Sequence, residues 1–152
     1  MGITHFSGVQ AVTVPVVDVT SATVTITANT HSGGIVTLNR AAGITATLPA
    51  ATGSGARYHF VVATTFTGSG IIQVVNASDI MCGNASVFQD GGDTLVGFEA
   101  GATADTITLN GTTTGGLKGA DVTVTDIAAN LYFVNVRTAA TGIEATPFSA
   151  AV

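Results

Sequence analysis

Short runs in which apolar or small residues alternate with polar ones at a period of two constrain this chain more than any other feature of it. Residues 22–28, Ala-Thr-Val-Thr-Ile-Thr-Ala, set Ala22, Val24, Ile26 and Ala28 on one side of an extended chain and Thr23, Thr25 and Thr27 on the other. That is the pattern of a half-buried strand. Comparable runs occur at 35–38, 44–48, 58–62, 71–75, 94–98, 106–109, 122–125 and 132–137, with weaker ones at 12–19 and 86–88. Glycine, asparagine and aspartate fill the gaps, as at His31 to Gly34, Ala51 to Gly55, Gly68 to Gly70, Asp90 to Asp93 and Asn110-Gly111, and these are turn formers. No eleven-residue window carries helical periodicity, so no helix is expected. Short strands at this spacing define an all-β domain, either a β-sandwich or a jelly-roll-like barrel, whose strand order periodicity leaves open.

One turn poses a question of chemistry. Thr52-Gly53-Ser54-Gly55 has the look of a loop that cradles a phosphate on glycine-freed backbone N–H groups. Such a loop leads into a helix, whereas here Tyr58, His59, Phe60, Val61 and Val62 follow, residues that favour a strand. The tetrapeptide returns at Thr67 to Gly70 before another strand-like run. Gly53, Gly55, Gly68 and Gly70 are therefore expected to be structural turn residues, some at positive φ, in hairpins or inter-strand connections.

Length and composition bound the rest. The 152 residues, 46% hydrophobic, suit one domain with a substantial core. Charge is scarce: four basic and nine acidic residues make up 9% of the chain, against about 25% in ordinary soluble proteins. Threonine, with 26 residues, and glycine, with 19, take the place of charge. So weakly charged a surface fits either a protein covered by neighbours in an assembly or a monomer solubilised by hydroxyl groups. The net charge of −5, with Arg40, Arg57, Lys118 and Arg137 far apart in sequence, argues against nucleic-acid binding. No apolar stretch reaches the ~20 residues of a membrane helix and no charged leader precedes one, so neither membrane nor secretion signal is expected.

The ends read differently from the middle. Residues 1–20 and 138–152 lack clean alternation and contain Pro15 and Pro147, so the chain divides into an N-terminal arm (1–20), a β domain (21–137) and a C-terminal arm (138–152). Ile3, Phe6, Val9 and Val12 make the first arm too apolar to stay in solvent, and they are the candidate docking residues. The competing reading makes this segment the first strand of the domain's own sheet.

Candidate catalytic groups do not assemble in the sequence. His5, His31 and His59 are isolated, Cys82 is the only cysteine, and Asp90 and Asp93 match no calcium-loop spacing. His59 falls on the solvent side of its strand, and Cys82 reads as a small buried hydrophobe. Neither metal nor cofactor is expected, nor an enzyme. Thr-x-Thr units at 23–27, 45–47, 106–108, 112–114 and 123–125 could order water if ranked on a flat sheet, but their irregular spacing shows no solenoid period.

The segment 28–62 carries a resemblance. Thr37-Leu38, then Thr47-Leu48-Pro49, the turn Ala51 to Gly55, and the strand Tyr58, Phe60, Val61 and Val62 resemble a stretch that recurs in small virion proteins of tailed bacteriophages, particularly head decoration or cement proteins and some fibre-associated proteins. Gly-Ala-Asp-Val-Thr-Val-Thr-Asp-Ile from Gly119 and Tyr-Phe-Val-Asn-Val from Tyr132 resemble the closing strands of the same kind of domain. The resemblance implies a non-enzymatic protein made in the host bacterial cytoplasm and carried on the outer capsid surface. Its implied partner is the major capsid protein, whose neighbouring subunits it clamps, commonly as a homotrimer. Another virion part, such as a tail fibre, spike or head-fibre base, and a glycan-binding β-sandwich module remain the alternatives.

Overall fold

The computed structural model describes residues 14–89, 91 and 94–152. Two packed sheets form an all-β sandwich. The larger sheet has the order β1 (Val16–Val19), β3 (Ile35–Leu38), β5 (Arg57–Val62), β10 (Asp121–Ala128), β11 (Leu131–Ala140), β7 (Ile80–Gln89), β8 (Leu95–Glu99). The smaller runs β12 (Phe148–Ser149), β9 (Thr106–Leu109), β6 (Gly70–Gln73), β4 (Thr45–Thr47), β2 (Thr23–Thr25).

The first six strands alternate between the sheets. β1, β3 and β5 lie parallel in the larger sheet, and β2, β4 and β6 lie parallel in the smaller one. The chain thus winds round the sandwich as a solenoid does, one strand per sheet per turn. The later strands close this winding with antiparallel pairs, β10 against β5 and β9 against β6. The jelly-roll alternative is therefore corrected: that topology is antiparallel throughout, and β7 adds a further parallel pair with β11. The stacking supplies a winding that the irregular spacing of the threonine units does not show. Thr23 and Thr25 lie in register beside Thr45 and Thr47, while connections of unequal length hide that regularity from the sequence.

Alternation decides what is buried. Val36 and Leu38, Tyr58, Phe60 and Val62, Val122 and Val124, and Tyr132, Val134 and Val136 point inward from the larger sheet and are almost fully buried. They meet Ala46, Ile72, Ile107 and Leu109 of the smaller sheet, with Phe66 from the β5–β6 connection. Each large apolar side chain so buried contributes about 1.5–3 kcal/mol. One helical turn, α1 (Ala28–His31), interrupts the all-strand expectation. Buried His31 folds back so that its Nδ1 accepts the Thr27 N–H at 3.0 Å, which ends the run begun at Thr23.

Both arm boundaries move. Val16–Val19 pair with β3 as an edge strand, so the last part of the N-terminal segment belongs to the domain. Ile3, Phe6, Val9 and Val12 lie outside the described residues. At the other end, β11 runs on to Ala140, and β12 pairs with β9 while its Phe148 enters the core. The Asp105 carboxylate accepts the N–H groups of Ala151 and Val152 at 2.8 and 3.3 Å. The C-terminal stretch is therefore a fastened part of the sandwich; strand β12, only two residues long, is too short to show alternation.

Candidate functional site

The Gly-Ser-Gly loop does hold an anion, and the anion is the protein's own. Residues 52–55 lie in the connection that crosses from β4 to β5, with Gly53 and Gly55 at φ of 77° and 74°. This curvature turns successive N–H groups toward the Asp126 carboxylate of β10. Thr52 N–H donates at 3.0 Å, Gly53 N–H at 2.7 Å and Ser54 N–H at 3.0 Å, and the Ser54 hydroxyl donates at 2.6 Å. Such a concavity binds anions because all its dipoles point inward. Burial alone would raise the Asp126 pKa, but the hydrogen bonds from Ser54, Gly53 and Thr52 outweigh it and bring it to about 2. Beside it, the Tyr132 hydroxyl donates to the Pro49 carbonyl at 2.6 Å, and burial pushes that phenol up.

Gly68 and Gly70 serve by closeness rather than by positive φ. A Cβ on Gly68 would lie 2.4 Å from the Ala42 carbonyl oxygen, and one on Gly70 would lie 2.0 Å from the Phe66 ring. The four glycines anticipated as turn residues thus divide into two that supply curvature and two that supply room.

The outer face of the larger sheet brings together what the sequence keeps apart. Register aligns Val16, Ile35, His59, Thr123, Asn135, Asn84 and Glu99 in one row across all seven strands. The next row holds Asp18, Thr37, Val61, Asp121, Arg137 and Ser86. On the other side of the first lies Arg57, Thr125, Phe133 and Cys82. A shallow groove of about 520 Å³ lies over these rows, lined by Arg57, His59, Asp121, Phe133, Asn135 and Arg137 among others. A second depression, of about 330 Å³, shares Asp121 and Arg137 and adds Lys118 and Phe88.

His59 Nε2 lies 2.5 Å from the Asp121 carboxylate, and among the described residues no Lys or Arg pairs with a carboxylate. The solvent-side reading of His59 is right in direction, but the side chain is half-covered and engaged. Cys82 is half-exposed on this face rather than buried. At the edge, Thr37 and Asn39 hydrogen-bond Asp18 and hold its carboxyl below the usual range.

Among the described residues no three His, Cys, Asp or Glu side chains gather as a metal site, and no helix is long and apolar enough to cross a membrane. The fold and this face define a two-sheet β domain whose larger sheet presents a broad, polar, cation-bearing surface. No protein-family model matches the chain, and neither a curated protein nor a solved structure does.

Proposed function

We propose that the chain is a structural protein of a tailed-bacteriophage virion, of the head decoration or cement type, without enzymatic activity. It sits as a homotrimer on the outer capsid surface and clamps neighbouring major capsid subunits. The observation that carries this reading is how the three resembling segments contact one another. Asp126, from the segment that begins at Gly119, fills the turn of the Thr47–Val62 segment. Tyr132, which opens the third, bonds Pro49 of the first, and Tyr58 pairs with Val124. The resemblance therefore rests on one interlocked unit of the fold rather than on scattered strand formers.

In this reading the rigid sandwich supplies the body of the clamp, and Ile3, Phe6, Val9 and Val12 supply an apolar arm that docks on the capsid, with Phe6 as an anchor. Cosedimentation with heads stripped of the protein tests it. The full chain should bind saturably. A chain lacking residues 1–12 should melt cooperatively, since β1 begins at Val16, and bind heads at least tenfold more weakly. A full chain that leaves heads bare, or a truncated chain that binds them equally, contradicts the decoration role or the arm respectively.

A further inference from the structure

We infer that the outer face of the larger sheet is a docking groove for an extended, carboxylate-bearing peptide segment of a protein partner. The inference deepens the decoration reading and rests on it for the partner's identity.

The chain has only four basic residues. Arg57 on β5, Lys118 ahead of β10 and Arg137 on β11 line the two joined depressions of this one face, and Arg40 alone is elsewhere, its guanidinium donating to the Gly43 carbonyl. All three are exposed, and among the described residues none has a carboxylate within ion-pair distance. Asp121, which lines both depressions, lies against His59 Nε2. A chain of net charge −5 thus places three of its four basic side chains on one surface.

Geometry limits what fits. Arg57 pairs with Thr125 of β10 and Arg137 with Asp121 of the same strand. From strand rise and spacing their Cα atoms lie roughly 16 Å apart on a diagonal, which an extended chain spans in about five residues. With Cα atoms so far apart, the two guanidinium groups meet on one small anion only if both side chains are fixed fully extended toward each other, at a cost in side-chain entropy. A densely charged polyanion is disfavoured as well, because Asp18 and Glu99 flank the central rows at the sheet's two edges. Exposed Phe133 shares the row of Arg57 on the strand of Arg137, and exposed Phe88 lines the second depression with Arg137 and Lys118. Sparse carboxylates with apolar side chains beside them answer this arrangement, and electrostatic complementarity of this kind sets register and encounter rate.

The test is fluorescence anisotropy at low ionic strength on the full chain. The probe is a labelled peptide of about twelve residues of valine and threonine with a glutamate at every fifth position, beside its lysine-for-glutamate counterpart and a thymidine oligonucleotide of equal length. The acidic peptide should bind, lose affinity as salt rises, and bind at least tenfold more weakly to the R57Q/K118Q/R137Q variant, with R40Q unchanged. The lysine peptide should not bind. No binding of the acidic peptide, equal binding by the triple variant, an R40Q loss as large as that of R57Q or R137Q alone, or an oligonucleotide bound as tightly would each overturn the inference. Head binding separates the two readings. Heads decorated equally by wild-type and triple variant sink the groove and leave decoration standing; peptide binding through these cations with bare heads does the reverse.

Discussion

Removing the Asp126 carboxylate would leave three convergent N–H groups and the Ser54 hydroxyl without their acceptor, so D126A should cost about 2–4 kcal/mol in denaturant melts. Acid should act on the same contact. The carboxyl titrates at about 2 in the folded chain against 3.8 ordinarily. Its contribution, about 2 kcal/mol, is therefore complete above the ordinary value and is lost as pH falls through the folded one. The stability gap between wild type and D126N should accordingly narrow between pH 5 and pH 2; a gap that stays constant contradicts the assignment. The glycines should separate by mechanism. Gly55→Val meets open space and bears only the strain of positive φ, about 1–2 kcal/mol. Gly70→Val drives a side chain into Phe66 and should cost more or prevent folding. If Gly70 accepts valine more easily than Gly55 does, these roles are reversed.

Among elements, β12 yields the sharpest expectation. A chain ending at Thr146 loses the burial of Phe148 and the two N–H groups that Asp105 accepts. It should melt cooperatively at a lower temperature, having lost at least 1.5–3 kcal/mol; an unchanged melt would restore the free-arm reading. This is also the scale at which the sequence stops being legible. Strands from Ile35, Tyr58, Thr106 and Tyr132 are plain in the alternation because each shows one face to the core. Strand partners are not plain, because alternation carries no information about neighbours. Connections of unequal length concealed the parallel winding, and with it the alignment of Thr23 and Thr25 beside Thr45 and Thr47. For the same reason the sequence poses the question of the Gly-Ser-Gly loop without its answer: Asp126 reaches the loop only because β10 pairs with β5. Arg57, Lys118 and Arg137 looked scattered until register set them on one face.

At the scale of the whole molecule, two faces of unlike chemistry back onto one core. The smaller sheet shows threonines of β2 and β4 to solvent, whereas the larger shows cations, Phe133 and the half-covered His59–Asp121 contact. The clamp proposed above needs such asymmetry, one side meeting the partner and the other meeting water, and a body stiff enough to transmit load between subunits. The interlock of Asp126, Pro49 and Tyr132 gives that stiffness where the first-wound and last-added strands meet. The most direct test of the proposed decoration role is difference imaging of virions from phage that encode the protein and from phage whose copy of its coding sequence has been deleted. Lost density is expected as knobs at threefold or quasi-threefold positions on the outer head surface, each with the volume of three chains. Density lost from the tail, or two indistinguishable virions, would contradict it.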